Sequence, residues 1–443
     1  MSSQPLDSAT PFCATPRIIP VVVAQHVEDA AVLWAQRSEL VRRGHVKLHQ
    51  LRRFDDRLAA HLDGLCVAGP EAWPLCLAAL EKPSEGAMFT ATRHALEARR
   101  SAKSSDRLDL LFSAVQGDGP GMRGLLSAFA WQTGDVSWQR GKSCPANEAI
   151  YRRAVVTAAA LRRRDVADEL ASHELLSWAR SPHAAIRARA WRAAGELGRR
   201  ELVSTCAASM LEEKDEACRF WSAWSAVLLG DRESALALLA SLAMQPGPWR
   251  ERAFDLVLLA MPVPSAHQLL QPLSRQPSET RRLIRGAGRV GDPRYIPWLI
   301  GNMSNDELAR VAGEAFSFIT GADLAALDLE RPPPDDLASG PNDDPANSHV
   351  AMDEDEGLPW PDAARVQAWW AGQSQQFVAG TRYFVGAPLS DEQCCHVLRT
   401  GYQRQRIAAA LHRCLLVPGT ALFEWRAPAR DQQRELASLE NLR

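Results

Sequence analysis

Two histidines, His45 and His49, stand four residues apart in a segment whose apolar residues recur at helical spacing. This spacing places two imidazoles on one face of a helix, where they could bind a metal ion. No glutamate follows His45, so the H-E-x-x-H pattern of zinc proteases is absent from the segment. We interpret the pair as ordinary surface histidines beside Arg42, Arg43 and Lys47.

Soft metal ligands cluster near the end of the chain, in Cys394-Cys395-His396 followed by His412 and Cys414. Adjacent residues of a helix point about 100° apart, so three consecutive side chains cannot face one ion. The spacing also matches no zinc signature. We expect buried small thiols at a helix–helix contact, and we expect neither a metal nor a cofactor.

Motifs of enzymes are weak in this chain. The string Gly286-x-Gly288-x-x-Gly291 matches a dinucleotide-binding pattern, but it lies inside a helical repeat and no strand precedes it. We interpret these glycines as sites of close helix packing. Neither a G-x-S-x-G elbow nor a P-loop occurs in a suitable context. We therefore assign no catalytic residue and expect a protein that is not an enzyme.

Four arginines, Arg187, Arg219, Arg250 and Arg310, recur about once per repeat and could line one face. One interpretation is a basic strip that binds phosphates or an acidic partner. The other is a structural staple, in which each arginine pairs with the next repeat. The second is favoured by interleaved acidic residues, namely Glu216, Glu251, Glu279 and Glu307.

Tryptophan is abundant, with 14 residues in 443. Trp221 and Trp224 lie within the repeats and either fill the contacts between units or form exposed anchors for a partner. Together with the four arginines they are the partner-binding residues that we predict.

Those side chains belong to a ladder of helical repeats. Gly198, Gly230, Met261, Gly291 and Gly321 follow one another at spacings of 32, 31, 30 and 30 residues. A helix pair of this length cannot bury its own apolar face, so neighbouring pairs must stack. The register predicts an all-α protein, an α-solenoid of helical hairpins.

Composition limits the function. The net charge is -2 and the isoelectric point is about 6.6, which argues against a surface built for nucleic acid. No apolar run is long enough to cross a bilayer, and the nine scattered cysteines suit reduced thiols. We expect a cytoplasmic protein that contacts no membrane.

Shifts in composition predict six regions. After Gly321, residues 323–362 hold twelve acidic residues and one basic residue. The regions are a disordered tail (1–16), an N-terminal helical cap (17–70), degenerate repeats (71–180), regular repeats (181–322), an acidic, proline-rich linker (323–357) and a small, mostly helical C-terminal module (358–443).

The regular repeats resemble HEAT-like repeats of the kind found in phycobilisome-lyase-type proteins, through residues 186–198 (IRARAWRAAGELG) and 285–293 (RGAGRVGDP). A narrower resemblance covers most of the chain. It is carried by residues 24–31 (AQHVEDAA), 60–65 (AHLDGL), 68–69 (AG), 358–362 (LPWPD), 380–383 (GTRY), 403–406 (QRQR) and 425–429 (WRAPA). These segments look like an uncharacterised proteobacterial family often encoded near type VI secretion genes.

The resemblance implies a role with secretion effectors or spike components. We therefore expect a non-enzymatic scaffold or adaptor that binds another protein through its inner helices, with the acidic linker folding across that surface. One alternative is a DNA-repair-like HEAT protein that binds nucleic acid. Another is a bilin-lyase-like HEAT enzyme. Near-neutral charge speaks against the first, and no positioned nucleophile supports the second.

Overall fold

A computed structural model describes residues 18–97, 104–115, 117–132, 148–162, 172–334 and 353–441. The predicted tail (1–16) lies outside these ranges, and so does a polar, glycine-bearing segment (133–145) that we predict to be a loop. The first half is helical, with α1 (Pro20–Leu40), α2 (Leu48–Ala68), α3 (Ala72–Ala79), α4 (Glu85–Glu97), α5 (Ser104–Ala114), α6 (Pro120–Ala130), α7 (Glu148–Arg162) and α8 (Ser172–Ala179).

The repeat region follows with α9 (Ala184–Glu196), α10 (Val203–Glu212), α11 (Glu216–Leu229), α12 (Ser234–Met244), α13 (Arg250–Ala260), α14 (Val263–Leu270), α15 (Thr280–Val290), α16 (Ile296–Asn302) and α17 (Asp306–Thr320). The chain ends with α18 (Ala363–Gln373), a two-stranded antiparallel hairpin of β1 (Tyr383–Phe384) and β2 (Ala387–Pro388), α19 (Asp391–Thr400), α20 (Gln403–Leu416) and α21 (Ala429–Asn441). No helix in the described ranges has the length and apolarity that a membrane crossing requires.

The repeat helices form two layers. The odd-numbered helices from α9 to α17 pack one against the next, and we call their shared surface the inner face. Each even-numbered helix covers the odd-numbered helix that follows it. Ten consecutive residues of α11, from Phe220 to Leu229, are buried, because this helix has neighbours on all sides. The predicted all-α solenoid is confirmed.

The glycine ladder marks the ends of inner helices. Gly198, Gly230, Gly291 and Gly321 have φ between 66° and 119°, the left-handed conformation that terminates helices. At two of them the close approach of another segment adds a second reason for glycine. A Cβ on Gly198 would lie 2.3 Å from the carbonyl oxygen of Gly419, and one on Gly321 would lie 2.8 Å from the carbonyl carbon of Val385.

The segment that approaches these glycines runs along the edge where the inner helices end. The last carbonyls of a helix lack partners within it, and here the C-terminal segment supplies donors. The amide of Leu422 donates to the carbonyl of Glu196 in α9 at 2.9 Å, and the amide of Tyr383 donates to that of Gly291 after α15 at 2.8 Å. The Arg382 guanidinium donates to the carbonyl of Met261 after α13 at 2.7 Å. The C-terminal region thus caps the solenoid edge.

The C-terminal region also contacts the start of the chain. Arg37 of α1 pairs with Asp55 of α2 at 2.5 Å, and its other nitrogens donate to the carbonyls of Arg426 and Ala427. Parts of the predicted acidic linker that the structure describes are packed, since Leu324, Leu329 and Asp355 are buried. The boundaries of the linker stay a prediction. Residues 335–352 lie outside the described ranges.

Candidate inner-face cavity

A cavity of about 560 Å³ lies between the inner face of the repeats and the capping C-terminal region. This volume is in the range of small-molecule sites. The residue six positions before each of the five ladder residues (Gly198, Gly230, Met261, Gly291 and Gly321) lines the cavity. These residues are Arg192, Trp224, Asp255, Arg285 and Ala315. The helical register thus aims one side chain per repeat at a common space.

The cavity lining carries a strong excess of positive charge. It contains nine arginines, namely Arg42, Arg43, Arg192, Arg252, Arg281, Arg285, Arg289, Arg404 and Arg426. Six acidic residues face them, namely Glu39, Asp255, Glu314, Asp353, Glu354 and Asp355. Three of those six come from a single short segment, so the remainder of the lining holds nine cations against three anions.

That segment, residues 353–356, we call the acidic strap. Asp355 is 3% exposed and accepts from Arg281 at 2.5 Å, and Asp353 accepts from Arg310 at 2.6 Å. Arg43 reaches the carbonyl of Asp353 at 2.8 Å, and Arg404 reaches that of Glu354 at 2.8 Å. The strap therefore binds side chains of α15 and α17 on one side and of the N- and C-terminal regions on the other.

The α9–α13 end of the cavity is aromatic as well as basic. The guanidinium of Arg192 lies 4.4 Å from the centre of the Trp221 ring, and that of Arg252 lies 5.6 Å from it. Trp221 and Trp224 meet edge to face at 5.3 Å. Contact with the ring restrains both arginines, and for Arg252 it does so without an ion pair to any described carboxylate.

A buried ionic cluster supports the same end. Glu196 is 1% exposed and lies 2.9 Å from Arg189, 2.8 Å from Arg192 and 3.6 Å from Arg426. Burial lowers the pKa of Arg192 to about 9, so this guanidinium is still charged at neutral pH. The pairs with Glu424 and Glu196 raise the pKa of Arg426, and they outweigh the lowering that burial causes.

The six predicted binding residues occupy different places relative to the cavity. Trp221 and Trp224 line the cavity, and Arg310 holds the strap. Arg187 pairs with Glu213 at 2.8 Å and Arg250 with Glu279 at 2.9 Å, each acid belonging to the segment before the next inner helix. These two arginines are the inter-repeat staples of the second interpretation. Arg219 is exposed and lies outside the cavity lining.

Sequence reasoning missed the arginines that line the cavity, above all Arg192, Arg252 and Arg285. The ladder contained a signal for two of them, since Arg192 and Arg285 occupy the same register position six residues before a rung. The residue type at that position changes from repeat to repeat, so no recurring side chain marked it. Arg404 and Arg426 come from the C-terminal region, whose place against the repeats is a long-range contact without a local signal.

The candidate metal ligands do not assemble. Among the described residues, no group of three or more His, Cys, Asp or Glu side chains is placed to hold a metal ion. His49 is exposed, whereas Cys394 and Cys395 are buried in α19. Burial raises the pKa of the Cys394 thiol to about 12, which keeps it protonated and unreactive.

The glycine string of α15 serves packing, as expected. A Cβ on Gly286 would lie 2.7 Å from a methyl group of Leu270, and one on Gly288 would lie 2.9 Å from the Cα of Ala315. These contacts let α15 approach α14 and α17 closely. The interpretation as helix packing is confirmed for Gly286 and Gly288, whereas Gly291 ends α15 in the left-handed conformation.

A second cavity, also about 560 Å³, lies beside α14 and α16. His267 faces it and lies 3.2 Å from the buried carboxylate of Asp292. That carboxylate accepts from the amides of Arg294 and Gly380, both at 3.0 Å. Asp292 therefore has a structural task, capping one turn and fastening the C-terminal region.

Comparison with known proteins supports the repeat assignment. A family model described as HEAT repeats matches residues 172–256, which span α8 to most of α13. No curated protein and no solved structure matches the chain. The match supports HEAT-like repeats over these residues, and the stacked helix pairs form an α-solenoid.

Proposed function

We propose that this HEAT-like solenoid is a non-enzymatic, cytoplasmic adaptor that binds an acidic segment of a partner protein at the α15–α17 end of its inner cavity. The observation that carries the proposal is the acidic strap. Four arginines from separate parts of the chain converge on its carboxylates and carbonyls. A surface that binds an extended acidic peptide in cis is chemically suited to bind one in trans.

The strap is suited to be displaced. Glu354 and Glu356 have side chains that are 74% and 57% exposed, and such ion pairs contribute only about 0–1 kcal/mol each. Only Asp353 and Asp355 are held closely. A partner segment with a similar spacing of carboxylates could therefore compete with the strap.

The family resemblance gives this partner a further interpretation. A neighbourhood of type VI secretion genes would make it an effector or spike component, and the adaptor would load it. The nucleic-acid alternative has less support, because a net charge of -2 provides no general basic surface for a duplex.

The test measures binding of a fluorescein-labelled peptide, Asp-Glu-Asp-Glu-Gly-Leu, to the full chain by fluorescence anisotropy. In one variant the strap is neutralised by Asp353→Asn, Glu354→Gln, Asp355→Asn and Glu356→Gln. Because the strap then no longer competes, we expect this variant to bind at least about tenfold more tightly than the wild type.

Two controls sharpen the test. The same peptide with Asn and Gln in place of the acids should not bind. Adding Arg281→Gln to the neutralised variant should weaken binding of the acidic peptide. Equal affinity of the wild type and the neutralised variant for the acidic peptide would refute competition by the strap.

A further inference from the structure

The strap leaves one end of the inner cavity open. It contacts Arg281 of α15 and Arg310 of α17. The lining from α9 to α13, with Arg192, Trp221 and Arg252, lies two or more repeats away from Arg310 along the stack. This end is accessible to solvent, since Arg252 is exposed although it points into the cavity.

The charges at this end are not balanced. Arg192 and Arg426 share Glu196, and Arg426 also pairs with Glu424 at 2.6 Å. Arg42 and Arg252, by contrast, form no ion pair with any carboxylate in the part of the chain that the structure describes. Two cations of the cavity lining therefore have no carboxylate of a described residue at ion-pair distance.

The pKa of Arg252 reflects the charges around it. Although part of its side chain reaches solvent, partial burial lowers the pKa of Arg252. The nearby charges of Arg426 and Arg42 lower this pKa further, whereas those of Glu196 and Asp255 oppose the shift. Like charges that face one cavity disfavour each other, and an anion placed between them relieves this repulsion. Contact with the Trp221 ring at 5.6 Å restrains Arg252, which lowers the entropy lost when it binds.

We propose that the α9–α13 end of the cavity binds a small phosphate-bearing anion between Arg42 and Arg252, with Arg192 and Arg426 as flanking donors. Guanidinium groups present a planar fork of N–H donors that matches two phosphate oxygens. A diphosphate has enough oxygens for two such forks, and it fits readily in a space of this volume. The strap-binding arginines of the repeats, Arg281 and Arg310, are not part of this site, which does not depend on the protein partner.

The experiment titrates the full-length wild-type chain with inorganic pyrophosphate by isothermal calorimetry, beside citrate as a multivalent carboxylate. We expect saturable binding of one pyrophosphate per chain, tighter than that of citrate. Arg252→Gln and Arg42→Gln should each weaken pyrophosphate binding about tenfold or more, because each removes a charged hydrogen-bond donor.

Arg219→Gln is the matched control, since Arg219 is exposed on α11 outside the cavity lining. Its affinity for pyrophosphate should equal that of the wild type. Far-ultraviolet circular dichroism and urea denaturation check that each variant is folded. Absence of saturable pyrophosphate binding, equal losses in all three variants, or tighter binding of citrate would overturn the assignment.

This outcome is independent of the acidic-peptide test. Arg281→Gln should weaken the peptide and leave pyrophosphate within about twofold of the wild type, since Arg281 lies at the strap end. Loss of both ligands in Arg281→Gln would contradict two separate sites.

Discussion

The buried carboxylate of Glu196 ties α9 to the C-terminal region, and its replacement by glutamine tests this link. Glu196→Gln preserves the side-chain volume, so it opens no cavity. It removes the negative charge that faces Arg189, Arg192 and Arg426 at 2.9, 2.8 and 3.6 Å. Three guanidinium groups then remain near a neutral amide.

The expected loss of stability follows from the burial of the pair. Removing one partner of a fully buried ion pair costs about 3–5 kcal/mol. The Arg192 and Arg426 side chains are 22% and 32% exposed, so water screens part of the freed charge. We therefore expect the lower end, about 3 kcal/mol, which lowers the ratio of folded to unfolded protein roughly a hundredfold.

The assay is urea denaturation followed by tryptophan fluorescence and circular dichroism at pH 7. Glu251→Gln is the matched control, because Glu251 is 48% exposed and lies 3.2 and 3.3 Å from Arg282 and Arg285. Such an exposed acid should contribute about 1 kcal/mol or less. If Glu196→Gln loses no more stability than this control, the cluster does not fasten the C-terminal region.

Three further predictions use the same denaturation assay. Gly288→Leu should cost about 3 kcal/mol or more, because a side chain would force α15 from α17; Gly301→Ala, with nothing within 4 Å of the added Cβ, should cost much less. Burial lowers the pKa of His94 to about 4, so the folded state favours the neutral ring. The neutral His94 ring therefore leaves the free energy of unfolding unreduced above its unfolded pKa of about 6.5, and this free energy falls by roughly 1.4 kcal/mol per pH unit as the pH decreases toward 4. A His94→Leu variant that loses stability in acid as steeply as the wild type would contradict this. Arg250→Gln should lose only about 1 kcal/mol, since its pair with Glu279 is partly exposed, and a loss above about 3 kcal/mol would mean a larger role for the staple.

The repeat fold could be predicted because its determinants are local. Apolar spacing within the inner helices recurs every 30 to 32 residues, and a left-handed glycine follows four of these five helices. The sequence also predicts a helix from Gln403 to Leu416, and α20 begins and ends at these residues. Met261 ends α13 at the position that glycine occupies in the other four inner helices, but its backbone is extended, with ψ of 148°. The spacing therefore predicted the end of this helix although the residue type did not.

The cavity could be predicted only in part, because it depends on contacts between distant parts of the chain. Trp221 and Trp224 were expected as binding residues and line it. The arginine at the start of each inner helix was expected too, but Arg187 and Arg250 point to the neighbouring repeat. Helix α21 was not predicted. Its contact with α2 brings the N-terminal and C-terminal regions together. Because this contact is long-range, no local sequence pattern predicts that the C-terminal region lies over the cavity.

The most direct test is a crystal structure of the strap-neutralised full chain bound to the peptide Asp-Glu-Asp-Glu-Gly-Leu. We predict that the peptide lies along the α15–α17 end of the inner face, with carboxylates on Arg281 and Arg310. A peptide bound elsewhere on the solenoid, or a neutralised strap that still fills the site beside a bound peptide, would contradict recognition of acidic segments by the inner face.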